Sequence, residues 1–174
     1  MLLIGYTTKE GQSRKIARWC ADRLAGAGKA IELLSLKDAS DVDLTRFDGA
    51  ILIAPVHVGR FPKPLIAFAN AQADALNEMP SLFLSVSLAA SGHDADDWRG
   101  IEKVAVDLSD ATGWTPGRTE HVAGAYQPSK YDLLTKFIMK RIIAEKDPGS
   151  DLNADREYTD WEALGQTIDD WTPG

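Results

Sequence analysis

Apolar residues recur along this chain in two rhythms. Short unbroken runs alternate with longer stretches in which every third or fourth position is apolar, the signatures of buried strands and amphipathic helices. The first run, Leu2-Leu3-Ile4-Gly5-Tyr6, reads as a strand. Ile16, Cys20 and Leu24, with Ala17 and Ala21 beside them, mark one face of a helix that Gly26 and Gly28 stop. Residues 30–36 read as a second strand, and Asp38 to Phe47 as a polar loop with a short helical turn. Residues 49–54 are nearly all apolar, as suits a central parallel strand covered on both faces. Pro55 to Phe61 is then a loop, and Pro62 or Pro64 opens a helix that buries Leu65, Phe68, Ala69 and Leu76. Met79 to Ser87 is the fourth strand. Trp98, Ile101, Ala105 and Leu108 place a helix over Ala95 to Thr112, ended by Gly113, and Thr119 to Ala125 is the fifth strand. The spacing T-x-x-E in Thr159-Asp160-Trp161-Glu162 predicts a capping box at the start of a last helix, with Leu164, Ile168 and Trp171 inward.

Five strands alternating with helices imply an α/β, doubly wound parallel sheet with helices on both sides. Right-handed crossovers leave few topologies. In the strand order 2-1-3-4-5 the first loop falls at the switch point between strands 1 and 3, where ligands of such folds bind. Three loops meet there, Thr7–Ser13, Pro55–Phe61 and Leu88–Asp97. The chain of 174 residues fits one domain, 1–174. One segment, about 127–155, does not belong to the five-strand plan, since a short connection is usual before the last helix. Its middle, Ser129 to Lys146, has helical character, with Tyr131, Leu134, Phe137, Ile138 and Ile142 as apolar positions.

The first loop, Thr8-Lys9-Glu10-Gly11-Gln12-Ser13, carries the candidate chemistry. Strand, tight loop and helix make an anion site, because the first N–H groups of a helix have no partner and its dipole favours negative charge. Gly11 lets the backbone turn sharply, and the Thr8 and Ser13 hydroxyls can donate. The loop matches neither G-x-G-x-x-G nor G-x-x-x-x-G-K-[ST], which argues against a dinucleotide site and an NTPase. The competing reading is an ordinary strand–helix turn with a serine N-cap.

Charge and composition narrow the partners. The formal net charge is −7, a poor match to nucleic acid. Against it, Lys130, Lys136, Lys140, Arg141 and Lys146, opposed by Asp132 and Glu145, give residues 129–146 a net +3. That segment is either a basic-faced helix packed on the domain or a docking helix for an acidic or membrane partner. No secretory signal is expected, nor a spanning helix, since no apolar run approaches the ~20 residues one needs. The single cysteine, Cys20, fits a reducing compartment and reads as a small buried hydrophobe. His57, His93 and His121 have no metal-ligand spacing, so no metal is expected.

Three stretches together carry a family resemblance. They are Thr8-Lys9-Glu10-Gly11-Gln12-Ser13, then Met79-Pro80-Ser81-Leu82-Phe83-Leu84-Ser85-Val86-Ser87-Leu88, and last Val122-Ala123-Gly124-Ala125 through Lys136-Phe137-Ile138-Met139-Lys140 to Tyr158-Thr159-Asp160-Trp161-Glu162. With these, nearly the whole chain resembles the flavodoxin-like family of menaquinone-dependent protoporphyrinogen IX oxidases (dehydrogenases). The first stretch alone says flavodoxin-like; the insert followed by Y-T-D-W is the specific part.

The resemblance implies an FMN protein of haem biosynthesis. It would take six electrons from protoporphyrinogen IX and pass them to a membrane quinone, with no catalytic side chain because the flavin carries the chemistry. One phosphate loop without a second mononucleotide-binding half favours FMN over FAD. The phosphate is expected on the backbone N–H groups of Glu10 to Ser13 and the Thr8 and Ser13 hydroxyls, with Lys9 and Glu10 replacing residues of the usual flavodoxin loop. Glu10 should then point its carboxylate to solvent. The isoalloxazine ring is expected between Pro55, Val56, His57, Val58, Gly59 and Arg60 on one side and Ser87, Leu88, Ala89 and Ala90 on the other. Phe61 is the aromatic candidate for stacking, against a competing role in the core. Lys136, Lys140 and Arg141 would meet substrate propionates or lipid headgroups, in a cytoplasmic protein that visits the inner face of the membrane. Two rivals share the fold: an electron-carrier flavodoxin whose insert docks a protein, and an NAD(P)H–quinone reductase.

Overall fold

The computed structural model describes residues 1–39 and 41–174. Within the expected polar loop, Ser40 lies outside the described residues. Five strands form one parallel sheet in the order β2-β1-β3-β4-β5, where β1 is Leu2–Tyr6, β2 Ile31–Ser35, β3 Gly49–Pro55, β4 Ser81–Ser87 and β5 Arg118–Ala123. Alternation along the strands sends side chains to two cores. Leu3, Leu52 and Phe83 face α2 (Lys63–Ala71), α3 (Ala73–Glu78) and α4 (Ala95–Thr112). Ile4, Ile51, Ile53, Leu82 and Leu84 face α1 (Gln12–Gly26) and α6 (Trp161–Trp171). Both faces are covered, which is why β3 and β4 read as unbroken apolar runs. Gly5 is a glycine for packing: a Cβ there would lie 2.6 Å from Leu36 Cδ2.

Several expected boundaries shift for local reasons. The expected helix from Pro62 to Leu76 is two helices, broken at Gln72, whose side chain donates to the Val42 carbonyl. The capping box at Thr159 does not form. Asp160 is the N-cap, accepting from the N–H groups of Glu162 and Ala163, while the Thr159 hydroxyl donates to the Ala123 carbonyl instead. The serine N-cap reading of the first loop also fails, since Gly11 is the N-cap of α1 and Ser13 lies inside the first turn.

Between β5 and α6 the chain leaves the sheet. Ala125–Tyr126 (β6) pairs antiparallel with Arg156–Glu157 (β7), so the long insert exits and returns through a two-stranded neck. A 3₁₀ turn at Pro128–Lys130 leads to helix α5, Leu133–Lys146, shorter than the expected 129–146 because Asp132 caps it by accepting from Thr135 N–H. The insert is pinned by polar bonds. The Tyr126 hydroxyl donates to the Leu152 carbonyl at 2.8 Å, Ser129 donates to Asp155, and Lys146 pairs with Asp97. The Tyr158 hydroxyl donates to Asp147 at 2.8 Å, and burial together with that carboxylate pushes its pKa to about 12. No helix among the described residues is long and apolar enough to cross a membrane.

Candidate functional site

A cleft of about 260 Å³ opens at the carboxyl ends of β1, β3 and β4, where the strand order reverses. Its floor is the loop into α1. Gly11 takes φ +104°, a left-handed conformation that L side chains rarely adopt, and its N–H donates to the Thr8 hydroxyl at 2.9 Å. No side chain caps the helix, so its first-turn N–H groups remain available to an anion. The Thr7 hydroxyl, just before this loop, is buried and meets no partner among the described residues.

Of the residues expected at the site, Thr8, Lys9, Glu10, Gln12 and Ser13 line the cleft, as do Pro55, Val56, His57 and Val58 from the second loop and Ser87 and Leu88 from the third. Gly11, Gly59, Arg60, Ala89 and Ala90 do not. The second loop is a two-residue hairpin in which His57 and Arg60 exchange backbone hydrogen bonds; its tip, Val58 and Gly59, and the adjoining Arg60 are exposed. The third loop curls into a 3₁₀ turn at Ala89–Ser91, where Ala90 N–H donates to the Ser87 hydroxyl. Glu10 is half-buried, and the insert reaches its backbone: Lys130 Nζ donates to its carbonyl at 2.7 Å. Phe61 is a core residue, edge-on to Phe83 at 5.1 Å, and takes no part in the cleft. His57 does, with its Nε2 at 2.6 Å from Lys9 Nζ.

The wall that the strand-and-loop plan misses comes from the insert. Gln127, Tyr131, Thr135, Ile138, Met139 and Ile142 line the cleft, together with Gly124 and Ala125 at the neck. Residues 135, 138, 139 and 142 form one helical face, a spacing present in the sequence. The expected apolar stripe is divided between two faces. Tyr131, Ile138 and Ile142 reach the cleft, while Leu134 and Phe137 are each 71% exposed. Lys136, Lys140 and Arg141 do not line the cleft, and Lys140 Nζ donates to Asn153 Oδ1 at 2.6 Å.

Glu157 ties these parts together. Its carboxylate accepts from Gln12 Nε2 at 2.9 Å, Lys15 Nζ at 2.5 Å and Trp161 Nε1 at 2.8 Å, joining α1, the neck and α6. Burial alone would raise this carboxyl, but the bonds from Lys15, Gln12 and Trp161 outweigh it and hold the group below its usual range. The arrangement suits an amphiphilic ligand with an anionic end on the loop and an apolar body between Val56, Leu88 and α5.

Comparison with known proteins agrees with this architecture. The flavodoxin domain model matches residues 3–153. Protoporphyrinogen IX dehydrogenase [quinone] of Escherichia coli K12 is 27% identical over 162 residues, covering 93% of this chain and 89% of its own; the protein of that name from E. coli O157:H7 matches equally. Among solved structures, a cysteine-to-serine mutant of flavodoxin from Pseudomonas aeruginosa aligns with a TM-score of 0.53 at 13% identity, over 83% of this chain and 94% of that one. Two-electron reduced Megasphaera elsdenii flavodoxin aligns at 0.51 and 18% identity, over 70% of this chain and 85% of that one. These two likenesses are likenesses of fold.

Proposed function

The chain belongs to the flavodoxin domain family, and from that premise we propose that it binds FMN and oxidises protoporphyrinogen IX to protoporphyrin IX, passing the electrons to a quinone. The observation that carries the reading is the wall formed by the insert. An apolar face of α5 lies over a switch-point cleft in a chain similar to the dehydrogenase over 93% of its length. A simple electron carrier needs no such wall.

The residues present fit the cofactor. The uncapped start of α1 and the Thr8 and Ser13 hydroxyls offer donors to a phosphate. Pro55, Val56, Val58, Leu88, Ile138 and Met139 offer apolar contact to a ring. FMN, when bound, supplies the electron-accepting chemistry for loss of six electrons and six protons from the porphyrinogen, enough to reduce three quinones. The protein binds, orients and excludes water. Val56, Leu88 and the cleft face of α5 shield the ring, and Glu157 fixes Gln12 and the neck so that loop and insert stay in register. The acceptor and the porphyrinogen are both largely apolar, and the exposed Leu133, Leu134 and Phe137 beside Lys136 and Arg141 suit reaching them at an anionic bilayer surface.

The test is anaerobic mixing of oxidised holoprotein with protoporphyrinogen IX. The oxidised-flavin absorbance should bleach without any added reductase and return when a menaquinone analogue is added. Denaturation should release FMN. Bleaching only by a protein reductase would replace this reading with the carrier, and release of FAD would overturn the choice of cofactor.

A further inference from the structure

We propose that Lys130, carried by the insert, is a phosphate-binding residue that supplies the cation of the FMN site; this rests on the FMN reading above. Its ammonium is 2.7 Å from the Glu10 carbonyl and 3.5 Å from where a Cβ on Gly11 would sit. It therefore lies against the two residues that lead into the uncapped start of α1. One of its three donors is taken by the Glu10 carbonyl, and the Gln127 side-chain oxygen, with that amide turned to suit its partners, takes a second at 3.2 Å. The third has no partner among the described residues, and Lys130 forms no ion pair there.

Charge makes this cation matter. The first turn of α1 has no acidic residue, but Glu10 is in the loop and Asp132, Asp155 and Glu157 approach from the insert and neck. Of the other cations nearby, Lys15 pairs with Glu157 and Lys9 meets the His57 ring, while Arg14 in the first turn of α1 is exposed. A phosphate on helix N–H groups alone would carry its charge into this acidic surround, in a chain of net charge −7. Lys130 offsets it from a residue 120 positions from Glu10, so the anion site is built from both ends of the chain.

The experiment uses full-length protein stripped of flavin and titrated with FMN and, separately, riboflavin, which lacks only the phosphate. Lys130→Gln should weaken FMN binding about tenfold to a hundredfold, the value of a charge-assisted hydrogen bond. Riboflavin affinity should be unchanged, which also shows that the variant folds. Lys130→Arg should restore most of the FMN affinity, and Lys136→Gln should change neither. The proposal is overturned if Lys130→Gln binds FMN as tightly as wild type, or loses riboflavin and FMN equally. A wild type that binds neither flavin overturns the FMN reading itself, and this role with it.

Discussion

Val58 and Gly59 are adjacent residues in left-handed conformations, φ +50° and +67°, at the tip of the hairpin beside the cleft. Both central positions of such a two-residue turn need positive φ, and Gly meets that need while β-branched Val does not. Val58 is also 87% exposed, so packing does not compensate for the strain. Val58→Asn should stabilise the protein by about 1 kcal/mol, and Gly59→Val should destabilise it by about 1–2 kcal/mol, read from denaturant unfolding midpoints. A Cβ on Gly59 meets no atom of the described residues within 4 Å, so this cost in stability comes from the turn conformation. Glu157 gives a prediction in pH. Its folded pKa is depressed, so its contribution to stability is present above the unfolded value near 4.5 and is lost as pH falls through the folded one. Glu157→Gln should therefore flatten the acid side of the stability–pH curve. An unchanged slope below pH about 5 would mean that its bonds to Lys15, Gln12 and Trp161 carry no net charge preference.

Helices whose faces meet the sheet were legible because burial imposes a strict period. Residues 95–112 form α4 as the spacing of Ile101 and Leu108 requires, and Asp94 caps it by accepting from the N–H groups of Asp96 and Asp97. Helix α5 was harder to read. Among its residues only Ile143 is fully buried, so no single stripe dominates and the rotation of the helix is set by polar anchors distant in sequence. Asp155, Asn153 and Asp97 choose which side faces the cleft, and no local pattern around residue 138 encodes them. The loops were legible for a different reason: the strand order alone brings their ends together, while turn geometry decides that Val58 faces the cleft and Arg60 does not. The exposed side of α5 supplies the element's own prediction. Replacing Lys136, Lys140 and Arg141 together by Gln should leave FMN content unchanged and lower porphyrinogen–quinone turnover on anionic vesicles at low salt. Equal turnover on anionic and neutral vesicles by both proteins would mark this side as merely solvated.

In the whole molecule, first and last elements lie side by side. Helix α6 covers α1, with Trp161 5.3 Å from Trp19 and the Arg23 guanidinium forked on Asp169. The cleft likewise joins the loop after β1 to residues 124–142, and Gln12 bonds to Thr159. The first 126 residues hold all five strands of the main sheet, yet lack the outer wall of the cleft and the cover of α1. This has a consequence for synthesis. On the ribosome the amino-terminal part can begin to form its sheet as it emerges, since chains lengthen at only about 5–20 residues per second. The cofactor site cannot close until Thr159 has cleared the exit tunnel. Under the proposed FMN function, flavin is retained only once residue 159 has joined the fold, so a chain ending at Gly124 should retain no FMN under conditions in which the chain of 174 residues does.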